Sequence, residues 1–471
     1  MRIKSSLYFL GLSCLPISIM SLINIFYSFY FNYLQNVSSY ILVLIISLVF
    51  GLAFIFIGKK ASQNIGIYEQ LFLTLAIFFI LPLLILVPFF LSDYNVTFLD
   101  SYFESVSGFT GTGFSIFENV KNLDPPLILW RSSSQWIGGF YFVIFLILIF
   151  SNKQLNFKMI DLSFNLEKKI SFSSNLISVT NRIFFIYLFL TIFVFFGFLI
   201  SGIRIFDSLN LTMTVVSSGG FLSVESLGDI IKTNLQSLYL SITFLISILN
   251  FYIIYNLIFN REMFKKHKED LYLIILTLIF TIFFFFLNDT NLAQVLVNVL
   301  SSIGNSGLSL GETPKNFGLF FIVLTLIGGS VLSNTSGLKF IRLYILIKGF
   351  TMEIVKLVKP NLVINKSIMF SENQINTENI KMSFLIFILF FLSLFILSSI
   401  LLIDFLDFEN SFKLSILTLT NTAPSNIYSI DNILFADLFT FSKISLIIFM
   451  VIAKVELLAI FLLFRKVFFK D

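Results

Sequence analysis

The sequence predicts an all-α polytopic membrane protein that contains a fourfold internal repeat. Hydrophobic residues make up 57% of the 471 positions and charged residues only 12%, and the mean hydropathy is +0.96. Apolar runs long enough to span a bilayer recur along the whole chain. Four shorter apolar segments, each ending in a turn of small and hydroxyl residues, lie between these runs. Lys and Arg cluster in alternate loops, as they do in proteins that cross a membrane many times.

Ten runs satisfy the length criterion for a transmembrane helix, about 20 residues. They lie near 6–32, 39–58, 69–92, 125–150, 176–202, 236–259, 270–288, 317–347, 382–403 and 437–464. The first run resembles a signal peptide that ends near Cys14, but its apolar residues continue to Phe26. We therefore expect an uncleaved first helix.

Four apolar segments are too short to cross the membrane, and they lie near 98–110, 206–217, 292–304 and 411–421. Such a segment must enter and leave on the same side. Its irregular turn is tolerated only when protein shields it or when it lines a watery cavity. These segments are predicted to be re-entrant helices.

The charges predict an orientation. With a cytoplasmic amino terminus, most of the 31 Lys and Arg residues fall on the inner side, and both termini are cytoplasmic. Most of the 26 acids fall on the outer side, including Glu104 and Asp207, and would concentrate cations at an outer mouth. The single histidine, His267, lies in the basic stretch FKKHKED and is expected in a solvated loop.

The turns SGFTGTGFS, VVSSGGFLS, SIGNSGLSL and TLTNTAPSN align with one another. The aligned position holds Gly113, Gly219, Gly307 and Ala423, at spacings of 106, 88 and 116 residues. A hydroxyl residue precedes each of them. Two spans per repeat keep all four repeats in one orientation, so a pseudo-fourfold axis can run along the membrane normal and enclose a central pore. The predicted divisions are two extra helices (1–62) and four pore repeats (63–165, 166–268, 269–365 and 366–471).

Glycine permits backbone conformations in which successive carbonyls point at one axis and replace the hydration shell of an ion. The half-helices before the turns direct their negative ends toward the pore, which favours a cation. The alternative is that these glycines only allow tight helix packing. The predicted filter residues are Thr110, Gly111, Thr112, Gly113, Ser217, Ser218, Gly219, Asn305, Ser306, Gly307, Asn421, Thr422 and Ala423.

Taken together, these motifs resemble the Trk/Ktr/HKT superfamily of potassium transporters. The likeness covers nearly the whole chain and includes SGFTGTG, LWRSSSQWIGG (129–139), VVSSGGF, SSIGNSGLS, GGSVLSNTSGLK (328–339), TNTAPSN and AKVEL (453–457). Two helices ahead of the first repeat resemble the TrkH-like branch. The family usually has glycine at the fourth aligned position. If a positive φ is required there, Ala423 would cost about 1–2 kcal/mol.

The resemblance implies potassium uptake across a bacterial inner membrane through a gated, channel-like pore. Potassium at the filter is the only metal ion implied, and no cofactor or catalytic residue is. The implied partners are a second copy of the chain and a separate cytosolic nucleotide-binding regulatory subunit, with membrane lipid around the chain and no nucleic acid.

In the family, the segment that corresponds to 328–337 is an intramembrane loop that obstructs the pore, and a cation lies where Lys454 stands. The predicted gate therefore comprises Gly328, Gly329, Ser330, Ser333, Asn334, Thr335, Ser336, Gly337 and Lys454. The alternatives are a kinked helix with hydroxyls bonded to its own backbone and a structural ion pair at Lys454. Trp130, Arg131 and Trp136 are interpreted as family markers or interfacial anchors.

Two other functions stay open. Ala423 suggests a sodium-permeable or weakly selective relative of the same fold. A polytopic membrane enzyme would need clustered acids, histidines or cysteines at one membrane depth, and the sequence contains no such cluster.

Overall fold

The computed structural model describes residues 3–60, 65–150, 176–251, 253, 268–287, 291–359, 367–368, 371–404, 406–430 and 433–456. Helices dominate these ranges. A short antiparallel ribbon, Ser367–Ile368 with Ser371–Gln374, precedes the last repeat. The all-α prediction is confirmed. The basic residues between the predicted spans, at 153–169 and 261–267 with His267, lie outside the described residues, as do both ends of the chain.

The helices follow one another in a repeating order of long, short and inner helix. They are α1 (Ile3–Tyr30), α2 (Val37–Gly58), α3 (Ile67–Phe90), α4 (Phe98–Thr110), α5 (Pro125–Phe150), α6 (Leu176–Ile200), α7 (Ile205–Val216), α8 (Leu227–Ile230), α9 (Asn234–Ile248), α10 (Lys268–Leu287), α11 (Leu292–Ile303), α12 (Gly318–Ile327), α13 (Phe340–Val358), α14 (Thr377–Leu401), α15 (Phe408–Thr420) and α16 (Thr440–Val455). By length and composition, six described helices can cross a membrane: α1, α2, α3, α6, α10 and α14.

The pore helices α4, α7, α11 and α15 have only 12 or 13 residues each. Isolated helices of this length are marginal in water, so capping and burial must support them. Thr97 caps α4 by accepting a hydrogen bond from Asp100 N (3.2 Å), and Asn291 caps α11 through Ala293 N (3.2 Å). Their carboxyl ends are buried. The predicted re-entrant helices are therefore present at the predicted places.

The two helices ahead of the first repeat form a close pair. A Cβ on Gly11 would lie 2.7 Å from the backbone oxygen of Gly51, so the crossing requires a small residue. On the predicted outer side, Asn36 Nδ2 and the Tyr94 hydroxyl donate to Asp124 Oδ1 at 3.2 and 3.3 Å. Burial raises the pKa of the Asp124 carboxyl above its ordinary value. The Asn36 bond joins the helix pair to the first repeat, and the Tyr94 bond lies within that repeat.

The inner helix of the second repeat is shorter than the predicted span of 236–259. Helix α9 ends at Ile248, and Leu249 is extended. Asn250 N donates to Asp270 Oδ1 (2.9 Å) at the start of α10. This acid replaces the intrahelical acceptor that Asn250 loses. Residues 254–259 lie outside the described residues.

Two other predicted spans also differ from the structure. The span predicted over 317–347 is divided into α12 and α13 by the irregular segment from Gly328 to Lys339. Helix α16 ends at Val455, because Glu456 adopts a positive φ of 67°. The remainder of the span predicted over 437–464 lies outside the described residues. Hydropathy does not reveal these interruptions, because the residues on either side of them are strongly apolar.

Candidate functional site

The four pore helices end in the same backbone conformation. A residue with positive φ follows each helix, namely Gly111 (78°), Ser218 (55°), Asn305 (57°) and Asn421 (48°). In the last three repeats, the amide of this residue donates three positions back and the next amide donates five positions back. This is a left-handed helix cap. Glycine and asparagine tolerate it, whereas for a serine the conformation costs roughly 1–2 kcal/mol.

The shared cap corrects the sequence alignment of the second repeat by one residue. Ser218, not Ser217, has the conformation of Gly111. The residue two positions after the cap is Gly113 in the first repeat and Gly220 in the second. Gly219, which the sequence alignment selected, is equivalent to Thr112. The error arose because two serines followed by two glycines fit either register.

Side-chain bonds support the corrected register. In the first repeat, Ser107 Oγ donates to Phe114 O across the turn (2.6 Å). In the second, Thr214 Oγ1 donates to Phe221 O (2.7 Å). Both bonds span seven residues, and both phenylalanines directly follow the position of Gly113 or Gly220. The register therefore does not depend on backbone angles alone.

Gly113, Gly220, Gly307 and Ala423 form one ring. A Cβ on Gly113 would lie 2.8 Å from Ala423 Cβ, and a Cβ on Gly220 would lie 2.2 Å from the same atom. A Cβ on Gly307 would lie 2.1 Å from Ala423 O. Only glycine fits at these three positions of the ring. The methyl group of Ala423 at the fourth position points at Gly113 and Gly220.

Alanine at the fourth position carries no backbone strain. Gly113 and Gly307 have φ of 79° and 71°, but Ala423 is not among the described residues with positive φ. The expected penalty of about 1–2 kcal/mol for a left-handed alanine is therefore absent. The consequence of Ala423 is steric, because its methyl narrows the ring.

The hydroxyl residues of the first and fourth turns form matching pairs. Thr110 Oγ1 and Thr112 Oγ1 are 2.7 Å apart, and Thr420 Oγ1 and Thr422 Oγ1 are 2.9 Å apart. In the second turn, Ser217 Oγ bonds back to Met213 O (2.8 Å). These side chains are buried. These side-chain bonds stiffen the turns.

A buried ion pair supports the first turn from behind. Arg131 Nε donates to Glu104 Oε1 (2.8 Å), and both side chains are at most 2% exposed. Glu104 Oε2 accepts from Ile116 N (2.8 Å), and Arg131 Nη2 donates to Ser115 Oγ (2.9 Å). The alternative that Arg131 is only an interfacial anchor therefore does not hold, because its side chain is buried. Glu104 does not add charge to an outer mouth, since the arginine neutralises it.

Polar side chains brace the second and third turns in related ways. Asp207 is buried, and its Oδ1 accepts from Ser223 Oγ (2.7 Å). Asn298 exchanges two hydrogen bonds with the backbone of Leu310, at 2.8 and 3.1 Å. Asp207 is thus another predicted outer acid that lies inside the protein. Each brace joins a pore helix to the segment that leaves the turn.

The two tryptophans near the first turn also lie inside the protein. Trp130 Nε1 donates to Ile85 O (2.9 Å), and Trp136 Nε1 donates to Thr191 Oγ1 (2.9 Å). Both rings are at most 7% exposed. They fasten α5 to α3 and to α6, so interfacial anchoring does not describe them.

The segment 328–337 forms a compact loop below the ring. Gly328 and Gly337 have φ of 62° and 76°. Gly329 N donates to Thr335 Oγ1 (2.8 Å), which is also 2.7 Å from Ser333 Oγ. The loop is not a kinked helix with hydroxyls bonded only to their own turn. It is held across its width by its own side chains.

This loop contacts three other elements. Ser330 N donates to Ile248 O (3.0 Å), where α9 ends. Asn334 Nδ2 donates to Val216 O (2.6 Å), the last residue of pore helix α7. Ser336 faces Lys454 of the fourth repeat, with Oγ to Nζ 3.4 Å. The loop therefore bridges the second and fourth repeats directly beneath the second turn.

Lys339 fastens the loop, and sequence reasoning missed it. Its Nζ donates to the backbone oxygens of Ser333 and Thr335, and it also contacts both hydroxyls. The side chain is 2% exposed. Lys339 directly follows the polar stretch GGSVLSNTSGL. A lysine in this place is equally typical of the inner end of a membrane span, so the sequence does not distinguish the two roles.

Lys454 lies at the centre of the predicted gate. Its Nζ is 3.4 Å from Asn334 O and 4.3 Å from the centroid of the Phe142 ring. A Cβ on Gly111 would lie 3.7 Å from this nitrogen. Among the described residues, no acid forms a salt bridge with it. Glu456 instead pairs with Arg342 of α13, at 2.7 Å.

Comparisons with known proteins agree with this architecture. No family model matches the chain. The chain is 25% identical over 485 residues to an uncharacterized cation transporter of Methanocaldococcus jannaschii, which covers 99% of this chain and 96% of that protein. It is 24% identical over 406 residues to the Trk system potassium uptake protein TrkH of Salmonella typhimurium, and the match covers 82% of each.

A solved structure has the same fold. The crystal structure of the potassium transporter TrkH from Vibrio parahaemolyticus superimposes with a TM-score of 0.84 over 98% of both chains, at 19% sequence identity. The Trk system potassium uptake protein TrkG of Escherichia coli is 24% identical over 403 residues. The curated relatives are named as cation transporters or potassium uptake proteins, and the fold is shared over 98% of both chains, so the chain is similar over nearly its whole length to the Trk transporter proteins.

Proposed function

We propose that the chain takes up potassium through a central pore whose filter is the ring of Gly113, Gly220, Gly307 and Ala423. The observation that carries this proposal is the convergence of four capped pore helices on one ring, with backbones too close for side chains at three positions. Potassium is the ion named for the TrkH and TrkG relatives.

The electrostatics of the ring favour a cation. Each pore helix directs its carboxyl end, with the negative end of its dipole, toward the turn that follows. The threonines of the first and fourth turns bond to one another or to helix backbone. Backbone carbonyls are therefore the groups that can replace the hydration shell of an ion in the ring.

The gate is formed by Lys454 and the loop 328–337. A buried ammonium close to Gly111 repels a cation that leaves the filter. The loop adds steric closure at the same level, since Asn334 touches both Lys454 and the end of α7. Passage inward requires displacement of both elements.

A weakly selective or sodium-permeable pore is the second candidate. The Ala423 methyl favours it, because it projects toward Gly113 and Gly220 and changes the size of the ring. Selectivity depends on the number and spacing of the coordinating carbonyls. A narrowed ring would alter that spacing for both ions.

The remaining assignments concern assembly and orientation. We place the chain in the cytoplasmic membrane with both termini inside, paired as a homodimer. A separate cytosolic nucleotide-binding subunit regulates the pore, consistent with the basic inner loops of the sequence. Purification from native membranes that yields no such protein, together with full regulated transport by the chain alone, would refute the regulatory subunit.

Isotope uptake in cells that lack their own potassium uptake systems tests the function. Expression of the chain should restore potassium accumulation and growth at low potassium, with lower uptake of sodium. Equal uptake of both ions would support the weakly selective alternative. Absence of cation uptake by protein that reaches the membrane would refute both candidates.

A further inference from the structure

We infer that Asn305 and Asn421 are positioning residues that tie three of the four filter turns together and so set the ion preference of the ring. This inference rests on the proposed function, because it assigns a role within the same filter. Neither side chain has to touch the ion. Each acts through the turn of the next repeat.

Asn421 links the fourth turn to the first. Its Nδ2 donates to Thr112 Oγ1 (2.9 Å), directly before the ring residue Gly113. The same nitrogen donates to Met450 O (3.0 Å), on inner helix α16 of its own repeat. Both amide protons are thus used. The first turn is thereby held at a fixed distance from the fourth inner helix.

Asn305 makes the equivalent link one repeat earlier. Its Nδ2 donates to Thr422 Oγ1 (3.2 Å), directly before Ala423, and to Thr325 O (2.9 Å) on α12. The direction is the same in both cases: each cap reaches the hydroxyl of the next turn and the inner helix of its own repeat. Two independent pairs of contacts therefore follow the pseudo-fourfold symmetry.

The orientation of the two amides follows from chemistry. Met450 O and Thr325 O are backbone carbonyls, which only accept hydrogen bonds, so a donor nitrogen must face them. Both asparagines are 1% exposed. Water cannot replace a bond lost at such a site, and the unpaired carbonyl would bear the full cost of desolvation.

Within the part of the chain that the structure describes, no equivalent side-chain link extends from the cap residue of the first turn or of the second turn. Gly111 has no side chain, and the Ser218 hydroxyl has no hydrogen-bond partner among the described residues. The second turn is braced from behind instead, where Phe221 N donates to Gln135 Oε1 (3.3 Å). The third, fourth and first turns are therefore one linked unit, and the second turn is positioned separately.

Asn421→Gly and Asn305→Gly test this inference. Glycine accepts the left-handed conformation that these positions require, as Gly111 does, so each variant removes the amide without backbone strain. The potassium-to-sodium flux ratio should fall severalfold, because the loss of the link to the next turn relaxes the spacing of the ring carbonyls. Asn95→Gly is the matched control, because Asn95 is an exposed left-handed asparagine (φ 52°) in an outer loop, and its ratio should not change.

Thr112→Val removes the acceptor hydroxyl with little change in shape and keeps the test decisive if Asn421→Gly fails to fold. Thr112→Val should lower the potassium-to-sodium flux ratio by a factor similar to that of Asn421→Gly. The double variant with Asn421→Gly should lower the ratio by less than the product of the two single effects, since both variants remove the Asn421–Thr112 bond. An unchanged ratio in well-expressed Asn421→Gly and Thr112→Val, alongside potassium-selective flux by the unsubstituted chain, would overturn this inference and leave the proposed function intact.

Discussion

The Lys454 ammonium and the Asn334 backbone oxygen are 3.4 Å apart, although the two residues belong to different repeats. Lys454 lies in the last turn of the inner helix of the fourth repeat, and Asn334 lies in the loop that interrupts the third. Asn334 also donates to Val216 O at the end of the second pore helix (2.6 Å). One residue of the loop therefore connects Lys454 to the base of the second turn.

Lys454→Gln should raise basal potassium flux. Two unit charges ~8 Å apart at an effective dielectric near ~20 interact by about 2 kcal/mol, so removal of the charge should increase flux from severalfold to tens of times. The potassium-to-sodium ratio should stay nearly constant, because the ring is not altered. Flux through purified protein in vesicles measures both quantities.

Lys454→Arg is the control for that variant, because it keeps the charge and should keep the low basal flux. Deletion of two or three residues from 328–337 should mimic Lys454→Gln. Unaltered flux in well-expressed Lys454→Gln would mean that this residue does not line the path. Loss of expression in Lys454→Gln but not in Lys454→Arg would indicate a structural role.

Lys339→Met should loosen the loop. The lysine supplies donors to two backbone oxygens of the loop, and methionine fills a similar volume without donors. We expect a severalfold rise in basal flux with an unchanged ion ratio. Lys356→Met is the control, because Lys356 forms an exposed pair with Glu353 of a kind that contributes little. Basal flux equal to that of this control would contradict the fastening role.

The Glu104–Arg131 pair should matter for stability. Removal of one partner leaves a buried charge unpaired and should cost about 3–5 kcal/mol, measured as a loss of thermal stability in detergent. The double variant Glu104→Leu/Arg131→Met should be less destabilised than either single variant. Lys121→Met, which breaks an exposed pair, should change stability by about 1 kcal/mol or less. A loss in the double variant equal to the sum of the two single losses would contradict the coupling.

Gly220→Ala should reduce potassium flux far more than Gly219→Ala. A methyl on Gly220 would collide with Ala423 Cβ (2.2 Å) and with the backbone oxygen of Ser306 (2.9 Å), whereas one on Gly219 would meet only the Gln135 side chain. Isotope flux per folded protein distinguishes the two. A larger loss of flux in Gly219→Ala than in Gly220→Ala would instead support the sequence alignment, in which Gly219 is the ring residue.

Much of the fold follows from simple physical rules. Segments such as 98–110 are too short to cross a bilayer, and α4 begins and ends where the sequence predicted. The fourfold repeat follows from turns that share one backbone requirement, a left-handed cap. Asparagine and glycine meet that requirement equally well, which is why Asn305, Asn421 and Gly111 align despite different side chains.

Other features depend on contacts between distant segments, which hydropathy does not encode. The break in α9 at Leu249 depends on Asp270, which accepts from Asn250 N, and no local signal marks it. The sequence alone places Glu104 among the outer acids, because its partner, Arg131, lies 27 positions away in another helix. The one-residue error at Gly219 reflects a sequence degeneracy that the backbone angles and the side-chain bonds of Ser107 and Thr214 resolve.

The reversal potential of the purified chain in vesicles, with potassium on one side and sodium on the other, measures the ion preference of the ring. We expect a potential close to that of potassium for the unsubstituted chain. We also expect a shift toward sodium in Gly113→Ser, because a side chain at the ring displaces the coordinating carbonyls. An identical potential in Gly113→Ser, with currents of normal size, would contradict the assignment of this ring as the filter.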